Sequence, residues 1–186
     1  MTGLTPFQTL GPFFSFALPF PGGDTLADQS MPGTRIVIEG CVRDGAGAPM
    51  PDALVEIWQA NAQGQYRHPA DSHHTPADTP FDGFGRTLTD DDGRFSFTTI
   101  KPGPVPAPRG GSQAPHIVVG LLGRGILTRL VTRIYFEDEP ANAADLILGL
   151  VPAARRPTLL TRRVAGARYQ FDIVVQGASE TVFFDV

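Results

Sequence analysis

Residues 38–66 read IEGCVRDGAGAPMPDALVEIWQANAQGQY. Two runs rich in β-branched and apolar residues, Arg35–Arg43 and Ala53–Gln59, flank a centre of Asp, Gly, Ala and Pro, which is the pattern of two strands joined by a connection. The same texture extends outward. The 21 glycines and 18 prolines punctuate the chain into short segments, and further strands are expected at Arg94–Ile100, His116–Leu121, Leu127–Phe136, Arg168–Val175 and Thr181–Asp185. Arg94-Phe95-Ser96-Phe97-Thr98 alternates cleanly, and Asp92-Gly93 just before it supplies the left-handed backbone of a tight turn. Asp90-Asp91-Asp92-Gly93 lacks the alternating oxygens and distal glutamate of a calcium loop and reads as that turn. A single short helix is expected over Glu139–Leu150, where Ala, Leu and Ile recur at helical spacing after Pro140. Regular short strands with turn signals predict an all-β sandwich.

At 186 residues the chain is one domain by length and long enough to bury a core without disulfides. The reading divides it into an arm, residues 1–34, aromatic, proline-rich and without a period, and a β-sandwich domain, residues 35–186. A net charge of −4 without basic runs argues against nucleic-acid binding. Cys41 is the single cysteine, sits in a strand, and predicts a buried thiol in a reducing, cytoplasmic setting. The apolar stretch Phe13–Phe20 lacks a basic lead and contains Pro19, so it does not read as an export signal. No run approaches the ~20 apolar residues that cross a bilayer.

The 38–66 stretch, ending in Tyr66 just after a Trp-Gln-Ala-Asn turn, resembles the signature of intradiol ring-cleaving dioxygenases. GRTLTDDDGRFSFTTIKPGPVP (85–106) and APHIVV (114–119) resemble later segments of the same family. The resemblance implies a β-sandwich of that family's type and a ferric site of two tyrosinates and two imidazoles, a donor set suited to a hard, highly charged ion. Tyr66 and His116 stand at two of the four positions. Val105 stands where the second tyrosine is expected and Val118 where the second histidine is expected, and valine offers no lone pair. Gln113 stands where the family carries an arginine. These five positions read as a vestigial metal site, with no metal bound by this chain and no catalytic residue in it.

Thr5 to Phe14, TPFQTLGPFF, and the ending Tyr169–Asp185 resemble the non-catalytic α subunits of the family's two-subunit, protocatechuate-cleaving members. That likeness implies an iron-bearing β subunit as partner, Fe(III) held by the partner, a hetero-oligomer of αβ units, and a substrate cavity shared between the subunits. Thr9, Gly11 and Pro12 would border the cavity, since glycine permits close backbone approach and proline fixes the path. Arg133, on an otherwise apolar strand, requires an anionic ligand, which places it in the cavity wall, or a carboxylate, which places it in a buried ion pair. Two other readings stay open. One is a self-sufficient dioxygenase with an altered shell, needing His68, His73 or His74 to join Tyr66 and His116. The other is a metal-free sandwich used only for binding or assembly.

Overall fold

The computed structural model describes residues 6–11, 13–71, 81–107 and 110–185. Its core is a two-layer sandwich. In the first layer β1 (Arg35–Arg43) pairs antiparallel with β4 (Arg94–Ile100), Arg35 opposite Ile100 and Cys41 opposite Arg94. The other edge of β1 takes β10 (Arg168–Gln170) and then β11 (Ile173–Val174), both parallel. The second layer runs β3 (Phe84–Leu88), β2 (Leu54–Gln59), β7 (His116–Leu122), β8 (Leu130–Phe136), antiparallel throughout. β9 (Leu160–Ala165) forms a hairpin with β10 and starts parallel to the end of β8, which joins the layers into one hydrogen-bonded path. A two-residue hairpin, β5 (Val105–Pro106) with β6 (Ser112–Gln113), stands apart.

Alternation along each strand builds the core. Ile36 and Ile38 of β1, Phe95 and Phe97 of β4, Val55 and Ile57 of β2, Ile117, Val119 and Leu121 of β7, and Ile134 and Phe136 of β8 fill the space between the layers. Each side chain of this kind contributes roughly 1.5–3 kcal/mol when fully buried. Cys41 is buried as expected, and its thiol donates to the Asp92 carbonyl.

The two layers leave open edges at β3 and β4, and unpaired strand edges invite association with other chains. The arm covers both. Gly23 O accepts from Arg86 N of β3 at 2.8 Å, while Thr98 of β4 donates to Asp24 O and accepts from Leu26 N, each at 2.8 Å. The arm is also held from the sheet's outer face by Glu56, a buried carboxylate. Arg86 donates to its Oε1 through Nε (2.8 Å) and Nη2 (2.6 Å), and Arg129 to its Oε2 (3.0 Å). The third nitrogen of Arg86, Nη1, donates to Leu18 O of the arm at 2.9 Å, and Phe20 stacks on Phe84.

Several elements differ from the sequence-based expectation. The helix over Glu139–Leu150 is split into a 3₁₀ turn, Pro140–Ala144, and α2, Leu146–Leu150. Asp145 between them is extended (φ −70, ψ 122), because its carboxylate caps Leu148 N and also accepts from Ala114 N and the Tyr135 hydroxyl. It is also not the only helix. Phe14–Ala17 forms a one-turn α1 in the arm, and Arg156–Leu159 a second 3₁₀ turn. The strand expected over Arg168–Val175 breaks at Phe171-Asp172, where Asp172 turns its carboxylate to Cys41 N. Residues 181–185 make isolated bonds rather than a ladder, as from Phe184 N to Val131 O and from Thr132 Oγ1 to Val182 O. β3 and β9 carry no clean alternation and were not foreseen. No described helix is long and apolar enough to cross a membrane.

The break at Phe171 sets a steric requirement on β1. A Cβ on Gly40 would collide with the Phe171 carbonyl and meet the Phe95 ring at 3.0 Å. Backbone on one side and a buried ring on the other cannot yield as a flexible side chain does. Gly40→Ala is expected to lower unfolding free energy by about 3 kcal/mol or more, read as a fall in the urea midpoint without a change in slope; an unshifted midpoint would mean that the β1 to Phe171 contact is not close.

Candidate functional site

The candidate site lies on the outer face of the second layer, and its geometry follows from the packing of the inner face. Because Ile117, Val119 and Leu121 are held in the core, His116 and Val118 face outward. By the same parity Ile134 faces in, and Arg133 and Tyr135 face out. Register then aligns the outward residues in rungs: Trp58 of β2, Val118 of β7 and Arg133 of β8 in one, His116 and Tyr135 in the next.

Tyr66 reaches this face from the loop after β2. Asn61 organises that loop: its Oδ1 accepts from Gln63 N (2.9 Å) and Gln65 N (3.0 Å), and its carbonyl accepts from Gly64 N and Gly103 N. Gly64, at φ 79, presses against the Pro104 carbonyl where a side chain has no room. Asp71 Oδ2 then accepts from Tyr66 N at 2.7 Å, and the Tyr66 ring stacks on Trp58 with centroids 5.7 Å apart and planes at 14°. The β5–β6 hairpin, which pairs Val105 with Gln113, brings the remaining positions to the same region.

Arg133 connects the parts. Its Nη1 donates to Gln113 Oε1 at 2.9 Å and lies 3.4 Å from the Tyr135 hydroxyl. That hydroxyl donates in turn to Asp145 Oδ1 at 3.1 Å. His116 is 2 % exposed, its ring centroid lies 5.9 Å from that of Tyr135, and its Nδ1 sits 2.8 Å from Ala114 O. A carbonyl can only accept, so Nδ1 carries the proton and the ring lone pair is on Nε2. Among the described residues the buried ion pair considered for Arg133 does not form, and the arginine's hydrogen-bond partners are neutral.

The electrostatics follow from burial and that one guanidinium. Burial pushes the His116 pKa down to about 4, and the nearby Arg133 charge pushes it the same way. Burial raises the Tyr66 phenol above its ordinary value, with Arg133 partly opposing. Burial likewise raises Tyr135 to about 12. At neutral pH the cluster therefore holds a neutral imidazole, two protonated phenols and one fixed positive charge.

This donor set does not fit ferric iron. Of the four ligand positions that the resemblance implies, two, Tyr66 and His116, carry lone pairs and two are valines. A guanidinium is hydrogen-bonded into the same cluster, and it repels any cation. Among the described residues no three His, Cys, Asp or Glu side chains converge as a metal site. His68 is exposed, its Nδ1 accepting from Ala70 N at 3.2 Å, and His73 and His74 lie outside the described residues.

The arm positions lie elsewhere. Thr9 Oγ1 accepts from Gly125 N at 2.9 Å, in the turn between β7 and β8. Gly11 is exposed with open space where a Cβ would stand, and Pro12 lies outside the described residues. That turn also presents Arg124, exposed and paired with Asp52 Oδ2 at 2.9 Å. Arg133 pairs with Val118, four residues along β7 from Leu122 at the turn, or roughly 13 Å of strand. Thr9 and Arg133 therefore mark two places, and Arg124 is the arginine that the turn places next to Thr9. Sequence reading missed Arg124 because only the Thr9 to Gly125 bond reveals the adjacency. Tyr135 was within reach, since it stands two residues from Arg133 on the same strand.

The shift of His116 has a signed consequence. Its folded pKa is depressed below the unfolded value of about 6.5, so its contribution to stability is complete above that pH and is lost as pH falls toward 4. Between pH 7 and 5 the loss from this residue is about 2 kcal/mol. Urea unfolding of the wild type and His116→Asn at both pH values is expected to show a smaller loss in the variant by about that amount; equal losses would mean that His116 titrates alike in both states.

Known proteins place these observations. The family described as Dioxygenase matches residues 11–177. The chain is 43% identical to the protocatechuate 3,4-dioxygenase alpha chain of Burkholderia cepacia, covering 98% of this chain and 97% of that one. It is 42% identical to the beta chain from the same organism, over 80% of this chain and 67% of that one. Among solved structures, the dioxygenase domain of a dioxygenase carbohydrate-binding fusion from Streptomyces sp. SirexAA-E superposes with a TM-score of 0.65 at 32% identity, covering 94% of this chain and 99% of that one. The chain belongs to the intradiol ring-cleavage dioxygenase family.

Proposed function

We propose that this chain is the non-catalytic α subunit of a protocatechuate 3,4-dioxygenase. The observation that carries the reading is a family fold in which the two ligand positions that the resemblance leaves empty carry Val105 and Val118, with the Arg133 guanidinium on the same rung as Val118. A chain built this way keeps the scaffold and lacks the shell. The near end-to-end likeness to an alpha chain and the separate likeness to a beta chain support a partnership of two related subunits.

In this reading the iron-bearing β subunit supplies the reaction centre, where protocatechuate reacts with O₂ and is cleaved between its hydroxyl-bearing carbons to 3-carboxy-cis,cis-muconate. This chain contributes wall and interface. Residues 1–34 act as the arm and residues 35–186 as the sandwich body. The arm's inner part is tied to β3 and β4 of its own sandwich. Its outer part, with Phe7, Phe13 and Phe16 each more than two-thirds exposed, is left to pack on the partner. Thr9, Gly11 and Pro12 form the wall segment, and the Thr9 to Gly125 bond sets Arg124 beside it as a cation suited to a carboxylate-bearing substrate. Arg133 belongs with the remnant cluster.

The reading is tested by co-expression with the candidate β subunit. A stable αβ complex that consumes O₂ with protocatechuate is expected, and a chain that neither binds β nor alters its turnover would contradict it. Gly11→Val tests the wall. The added side chain meets nothing within this chain, so αβ assembly is expected to be unchanged while kcat/KM falls roughly tenfold to a hundredfold through misplacement of the substrate. Unchanged kinetics in an assembled complex would remove Gly11 from the cavity.

A further inference from the structure

We propose that Arg133, Gln113 and the Trp58–Tyr66 stack form a second binding site, within this chain alone, for a small planar carboxylate of the benzoate class. The inference goes beyond the shared cavity and does not require the partner. A guanidinium carries five N–H donors and a full charge. Only Nη1 of Arg133 is engaged within the described chain, by the Gln113 amide oxygen and, more weakly, by the Tyr135 hydroxyl, both neutral. The carboxylate nearest along this network, Asp145, is turned to Ala114 N, Leu148 N and the Tyr135 hydroxyl rather than to the guanidinium. Among the described residues the half-buried guanidinium of Arg133 therefore meets no carboxylate directly, and its field is felt by both His116 and Tyr66. Partly desolvated charge without a counter-charge is costly, and an anion that supplies one is bound by the same energy.

The shape of the site selects among anions. A guanidinium fork matches a carboxylate with two parallel N–H to O bonds. On the same rung, two positions along, the stacked Trp58 and Tyr66 rings form a flat apolar platform, with Val118 between platform and charge. A carboxylate with an attached ring satisfies charge and platform together, whereas a spherical anion satisfies only the first.

Trp58 is the chain's only tryptophan, so its emission reports this site directly. Titration of the full chain with benzoate, and separately with the neutral isostere benzamide, is expected to give a saturable emission change for benzoate and at least about tenfold weaker binding for benzamide. Arg133→Gln is expected to weaken benzoate by a similar factor, and Arg133→Lys, which keeps the charge but loses the fork, by less. Should Arg133→Gln not fold, the Lys variant and the wild-type benzoate to benzamide ratio carry the same test. The absence of saturable benzoate binding, equal affinity for benzamide, or equal affinity in a folded Arg133 variant would overturn the proposal.

Discussion

The two-residue parity of β7 and β8 governs both the core and the site. Ile117, Val119 and Leu121 are drawn between the layers, as are Ile134 and Phe136, and this fixes His116, Val118, Arg133 and Tyr135 on the opposite face. A slip of one residue in either strand would expose the core set and bury the arginine. The site is thus the reverse side of the hydrophobic core. A scaffold that must keep its core must also keep presenting these four positions outward, whatever residues stand there. That accounts for a cluster whose geometry is ordered whatever chemistry its residues allow.

Arg133 decides what the cluster can bind. A lost ligand alone leaves a weaker metal site, but a fixed guanidinium next to the surviving donors opposes any cation. It also pushes His116 further toward the neutral form and works against the burial of Tyr66. Gln113 accepts the arginine's hydrogen bond, and Asp145 holds Tyr135 in place, so the guanidinium is fixed within the cluster. Elsewhere the buried Glu56 shows the contrasting solution, a charge met directly by Arg86 and Arg129 and used to fasten the arm. In one sheet, one charge is met directly by ion pairs and the other, among the described residues, by neutral partners.

Much of this was legible in the sequence. β1 and β4 fall where their alternation places them, because each has one face on the core and one toward solvent. Tyr66, His116, Val105 and Val118 were singled out because they lie in segments with strong local pattern, and β7 and the loop after β2 place His116, Val118 and Tyr66 in one region. What the sequence did not reveal depends on contacts between distant residues. Asp145 splits the 139–150 helix because Ala114 and Tyr135 recruit its carboxylate, and no local preference encodes that. β3 is recognised only by its pairing with β2, and Arg124 gains interest only through the bond from Gly125 to Thr9.

The central claim is that this chain holds the family's scaffold without its ferric centre. The most direct measurement is metal analysis with visible absorption on the chain purified after expression alone in iron-replete medium. The account predicts iron far below one equivalent and a colourless protein. Stoichiometric iron with a tyrosinate-to-iron charge-transfer band would contradict it.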